Sequence, residues 1–245
     1  MSKNYFDLCN EVLEELYYEK ADTFEELDTT AEGRRVKRML NQALAYVCNN
    51  ENEGWSFRNK TTQLVLVPGM TEYSRPNGFI EYMKYTDREI VLNYYEDHKF
   101  LPNHCIGLPT GYYICDDKIN LFPTPGESED DIIIKIQYYT DDFAEDCCKM
   151  GKPKMVYETD VPIIPARHRD VLIWKVCADW RGNDRDGHYE HYEAKFKRAY
   201  RALLMDCRRT LDKPQGLQLE NYQPSITRNL YNAWQIRTQT SKGNM

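Results

Sequence analysis

Between residues 5 and 17 apolar side chains return every three or four positions, at Tyr5, Leu8, Cys9, Val12, Leu13 and Leu16. That spacing places them on one face of an amphipathic helix. A second stripe runs through Val36, Met39, Leu40, Ala43, Leu44 and Val47. Thr29 and Glu32 stand before it at capping-box spacing, and this helix is expected to end near Asn49 and Asn50. From 61 to 140 the chain changes to short runs of Val, Ile and Tyr divided by Pro, Gly and Asp, the signature of antiparallel β structure. Strands are predicted over 62–67, 79–86, 90–95, 112–115, 118–122 and 132–139. Asp87-Arg88-Glu89 and Asp116-Asp117 read as tight hairpin connections, and 123–131 as a longer one. Helical spacing returns with Val171, Trp174 and Ala178. After a polar turn at 182–187 it continues with Tyr189, Tyr192, Phe196, Ala199, Tyr200, Leu203 and Cys207.

This order predicts an α+β fold. Residues 1–60 and 160–210 form a helical bundle domain, 61–159 an inserted antiparallel β subdomain, and 211–245 an extended C-terminal arm. The arm is polar and carries Pro214, Gly216 and Pro224, but Leu217, Leu219, Tyr222, Ile226, Leu230, Tyr231 and Trp234 punctuate it. Spaced apolar anchors in a polar extension fit a segment that orders on a partner.

Composition alters this picture in three ways. The chain has 245 residues, 41% of them hydrophobic and 29% charged, which is enough for a sizeable core and not a disordered composition. Nineteen tyrosines against eight phenylalanines supply side chains with an apolar body and a hydrogen-bonding tip, a type favoured at surfaces buried on assembly. A formal net charge of −7 argues against a dedicated nucleic-acid reader, although it permits a channel along which a polyanion slides. The eight cysteines are expected to be reduced and mostly buried. Residues 1–10 lack a signal-peptide apolar stretch, and Cys9, Cys177 and Cys207 sit in helical patterns among apolar neighbours. No run approaches the roughly 20 apolar residues of a membrane span, so folding in a cytoplasm is expected.

Candidate chemistry is sparse. His188 and His191 are three apart on a helix and could share a face as metal ligands, but the HExxH glutamate is missing and exposed polar histidines explain them. Asp184, Asp186, Gly187 and Glu193 match positions three, five, six and twelve of a calcium loop, yet Gly182 stands where position one needs a carboxylate. Neighbouring acids such as Glu14-Glu15, Glu25-Glu26 and Asp130-Asp131 point apart on any regular element and read as solvated. Cys147-Cys148 are adjacent, a poor geometry for one tetrahedral ion. Trp55, Phe57 and Arg58 could stack on bases, but aromatics at a helix-to-strand junction more often plug a core. No catalytic residue, metal site or cofactor is therefore assigned.

Taken in order, several short motifs carry a family resemblance. They are Tyr5-Phe6-Asp7-Leu8-Cys9, Asn41-Gln42-Ala43, Trp55-Ser56-Phe57-Arg58, Pro68-Gly69-Met70-Thr71-Glu72-Tyr73, Leu108-Pro109-Thr110-Gly111-Tyr112-Tyr113, Leu121-Phe122-Pro123-Thr124-Pro125, and Ile164-Pro165 leading through His168 to Leu172. Over residues 4–208 the chain resembles the head-to-tail adaptors of short-tailed double-stranded DNA phages, which dock beneath the portal. The resemblance implies a non-enzymatic virion protein made in the host cytoplasm. It implies a homo-oligomeric ring, a dodecamer of twelve subunits, that binds the portal protein above and tail or nozzle proteins below. Packaged DNA would pass through the channel without sequence-specific binding. It also implies that the arm is the partner-binding element, with Tyr222, Tyr231 and Trp234 as anchors and Arg228 and Arg237 as charge partners. Glu19 to Asp28 and 144–159 depart from the family pattern. The alternatives are another tail-ring or nozzle component, a monomeric chaperone, or a cell-wall-degrading virion enzyme, which would require a carboxylate pair.

Overall fold

The computed structural model describes residues 3–49, 54–96, 101, 105–183 and 188–207. The first helix, α1 (Tyr5–Glu15), starts at Asn4, whose side chain accepts from the Asp7 amide while Asp7 reaches back to the Asn4 amide. It stops two residues short of the expected end, because Leu16 to Tyr18 form a C-terminal cap. The Tyr17 amide donates to Glu14 O and the Tyr18 amide to Leu13 O, with Tyr17 at φ 65° in the left-handed region. A single-turn helix, α2 (Glu26–Thr29), precedes α3 (Ala31–Cys48). The expected Thr29–Glu32 capping box does not form. Thr29 closes α2 with its hydroxyl on Glu26 O, and Thr30 caps α3 by accepting from the Gly33 amide at 3.1 Å.

A 3-10 turn at Ser56–Arg58 leads into the strands. β1 (Asn59–Val65), β3 (Gly78–Tyr85) and β7 (Ile133–Thr140) form one antiparallel sheet in the order β1-β7-β3. β2 (Glu72–Ser74), β4 (Asn93–Tyr94), β5 (Gly111–Cys115) and β6 (Lys118–Phe122) form a second, in the order β2-β6-β5-β4. The turn between β5 and β6 puts Asp116 and Asp117 at φ 50° and 59°, the left-handed pair that a two-residue hairpin requires. The predicted antiparallel strand over 90–95 is mostly absent. Val91 makes one antiparallel bridge to Lys84, Leu92 enters the core, and only Asn93–Tyr94 pairs, parallel to β5. The chain at this point crosses from one sheet to the other, so no run of six residues can stay on either.

Apolar faces of the two sheets meet in one cluster that includes Leu64, Ile80, Met83, Ile134 and Ile136 from the first sheet and Tyr73, Tyr112, Ile119 and Leu121 from the second. A third, small sheet follows, with β8 (Ala144–Glu145) between β9 (Gly151–Lys152) and β10 (Val161–Pro162). The chain then enters α4 (Asp170–Asn183) and, past residues 184–187, α5 (Tyr189–Cys207). The predicted turn at 182–187 begins later than expected, since Gly182 and Asn183 are still helical and the Tyr189 ring lies 3.1 Å from where a Gly182 Cβ would stand. Tyr189, read as a core position, is 40% exposed instead.

All the apolar positions singled out in α1 and α3 are buried. With Val171, Ile173, Val176 and Cys177 of α4 and Tyr192, Phe196 and Leu203 of α5 they make a second cluster, which also takes in Phe143, Ala144, Met155 and Ile164. Gly33 is where α2 crosses α3, and a Cβ there would lie 2.3 Å from Leu27 O. Alanine is intrinsically the better helix former by about 1 kcal/mol. The backbone clash nevertheless reverses that preference. Gly33→Ala is expected to destabilise the fold by about 2 kcal/mol, read as a melting temperature roughly 5 °C lower.

Candidate functional site

Where α3 ends and β1 begins, the Trp55 to Arg58 motif is built into the interior. The Trp55 ring is fully buried, its Nε1 donates to Val47 O at 2.7 Å, and it stacks on Phe57 and meets Tyr200 edge-on. The Arg58 guanidinium, 6% exposed, donates to Cys48 O at 2.7 Å, to Thr140 O at 2.8 Å and to Asp141 at 2.9 Å. Its carbon lies 4.5 Å from the Tyr139 ring centre and 5.2 Å from that of Phe143. Two of the carbonyls left open at the C-terminus of α3 are thereby satisfied, one of them by a cation suited to the helix dipole. A base-stacking platform would need these rings at the surface, so the motif is the core plug.

Three further polar hubs order the 141–170 segment, two of them, Asn41 and Arg169, by tying it to α3 and to Lys3 just before α1. Asn41 pairs with the backbone of Met155 through both its amide N (3.0 Å) and O (2.9 Å), and donates to Tyr5 Oη, which donates to Lys37 O. Arg169 donates to Lys3 O, Pro162 O and Ile164 O, and its burial pulls the guanidinium below its usual value. Asp160 is fully buried and takes the Val156 and Tyr157 amides and the Lys152 ammonium. Burial opposes its charge, but the Lys152 contact and the two amides outweigh it and hold the carboxyl below the usual carboxylate value.

Among the described residues the histidine and cysteine readings gather no ligand set. His188 and His191 are exposed, His191 lying edge-on to Tyr192, and Asp184, Asp186 and Gly187 of the calcium-loop reading lie outside the described residues. Among the described residues, no group of three His, Cys, Asp or Glu side chains could hold a metal ion. Cys9, Cys48 and Cys177 are buried, and desolvation pushes their thiols up to about 12. Cys147 and Cys148 are exposed, with their sulfurs 3.9 Å apart. The anchors Tyr222, Tyr231 and Trp234 and the charge partners Arg228 and Arg237 also lie outside the described residues.

What the helical end of the molecule does present is an aromatic and cationic surface. Tyr17 is 88% exposed despite its left-handed backbone, and Tyr18 packs on Trp180 at 5.7 Å. Arg35 lies 3.9 Å over the same Trp180 ring. Beside them opens a shallow cleft of about 640 Å³ between α3, the end of α4 and the start of α5, lined by Arg35, Arg38, Gln42, Asp179 and Tyr189. Sequence reasoning passed over this surface. The helical spacing of Arg35, Arg38 and Gln42 was a usable signal, but Trp180, which lies under Arg35, comes from an element far along the chain.

A family model described as SU10 adaptor protein matches residues 3–218. The chain therefore belongs to the SU10 adaptor protein family, a family of phage head-to-tail adaptors. No curated protein matches it.

Two outcomes follow from the hubs. Arg58→Ala strands two buried carbonyls and is expected to cost about 3–5 kcal/mol of stability by denaturant unfolding, with Arg58→Lys recovering only part of it, since one ammonium cannot span both. Asp160 titrates lower folded than unfolded, so its contribution is fully present above the unfolded value near 4 and is lost as pH falls through the lower, folded value. Asp160→Asn should therefore be less stable than the parent at pH 7, with the difference shrinking below about pH 4 in acid-unfolding curves.

Proposed function

We propose that this SU10 adaptor family member is a ring subunit of the phage neck, docking on the portal, extending the DNA channel and offering a lower surface to tail or nozzle proteins. The observation that carries this reading is the family match, which spans residues 3–218 of 245. The work is mechanical, and no catalytic step is assigned to the chain. A formal charge of −7 over the whole chain permits a channel along which a polyanion slides. On this reading residues 1–60 and 160–210 are the helical body, 61–159 the β insert, and twelve copies close the ring. Residues 211–245 act as the arm, with Tyr222, Tyr231 and Trp234 as anchors and Arg228 and Arg237 as charge partners, because a few aromatics and arginines dominate most interfaces.

The arm is tested by a chain ending at residue 211. It is expected to keep the melting temperature of the full chain while its affinity for portal, measured by co-sedimentation, falls at least about tenfold. Unaltered portal binding would overturn the assignment of the arm.

A further inference from the structure

The buried stripe of α3 divides its surface into two flanks of different chemistry. Arg35, Arg38 and Gln42 recur at helical spacing on one flank and line the cleft beside Trp180. Lys37 and Asn41 lie on the other, where Lys37 sits 4.0 Å over the Phe24 ring and pairs with Asp28, and Asn41 holds Tyr5. That second flank carries the 19–28 connector, which has five carboxylates, at Glu19, Asp22, Glu25, Glu26 and Asp28, against one lysine.

The connector is held in shape. Asn10 brackets Ala21 through two hydrogen bonds of 3.0 Å, Phe24 packs on Tyr5 and Phe6, and Leu27 is buried. Asp22 and Glu25 are left exposed on it. One flank thus presents a preformed acidic ridge and the other an arginine cleft. The cleft also has the composition of an interaction hot spot, with Tyr189 at its wall and Tyr18 packed on Trp180 beside it.

We propose that the Arg35–Arg38 cleft receives the acidic 19–28 connector of a second copy of this chain. The contact uses different surfaces on the two partners, so each copy has one ridge and one cleft to offer. Such a head-to-tail contact propagates, and closes into a ring when its rotation divides a full turn. The inference rests on the ring reading above and names the surfaces that would build it. Charge complementarity selects the occupant. Asp179, held by Lys175 at 2.7 Å, also lines the cleft and weakens it as a seat for a continuous run of phosphates, while two arginines match the two exposed carboxylates of the ridge, Asp22 and Glu25.

The test uses the full chain in sedimentation velocity at low and high salt, about 0.05 and 0.5 M NaCl, because exposed charge pairs are screened in the latter. Wild type is expected to self-associate at low salt and to dissociate at high salt. Arg35→Glu with Arg38→Glu, and separately Asp22→Lys with Glu25→Lys, should each remain monomeric with unchanged circular dichroism. Arg38→Glu alone, on an exposed side chain, should weaken association at least about tenfold without lowering the melting temperature. Mixing the two double variants sets an intact ridge on an intact cleft and a lysine-bearing ridge on a glutamate-bearing cleft, so association should be restored. A wild type monomeric at low salt, variants that assemble as wild type does, or a mixture that stays monomeric would each overturn the contact. Portal binding by wild type, measured alongside, separates the readings: if it persists, only this contact falls, and if it is absent the ring reading falls too.

Discussion

The guanidinium of Arg58 is the constraint on which the rest of the described structure depends. It reaches from the first turn after α3 to the last carbonyl of that helix, to the end of β7 and to Asp141. Those partners belong to the helical cluster on one side and the central strand of the β1-β7-β3 sheet on the other. A buried cation is tolerable only when its donors are met, and here three of its nitrogens are met by two backbone carbonyls and one carboxylate. Trp55 repeats the device one turn earlier by taking the Val47 carbonyl. Between them, the helix terminus that would otherwise need water is sealed, and the direction in which β1 leaves the helix is set.

From that seam the other polar hubs acquire their sense. Asn41 and Arg169 satisfy backbone groups from segments distant in sequence, at Met155 and Lys3, while Asp160 takes the Val156 and Tyr157 amides of its own loop. The stretch from 141 to 169 has little regular structure of its own, with two-residue strands and a 3-10 turn. Side chains therefore do there what long hydrogen-bonded ladders do elsewhere, meeting buried backbone donors and acceptors that would otherwise be costly.

Periodicity made the long helices legible, because a stripe such as Val36 to Val47 has one geometric solution. The two-residue hairpin at Asp116-Asp117 was legible for a similar reason, since few residue types accept two successive left-handed positions. Elements of two to four residues, such as α2, β2 and β8 to β10, carry too few positions to show a period. The α3 cap moved by one residue because Thr29 and Thr30 are equally good caps, and the end of α2 decides between them. The strand expected at 90–95 failed because its alternation does not reveal that the chain changes sheets at Leu92. The arginine cleft needs residues from α3, α4 and α5 at once, a juxtaposition that only the packed structure supplies.

Membership of an adaptor family makes an assembled state the central claim, and a mass determination reaches it most directly. The full chain would be measured by native mass spectrometry alone and after mixing with the portal protein of its phage. The account predicts a ring, present in the free protein or appearing when the portal is added. A chain that stays monomeric and ignores the portal would contradict it.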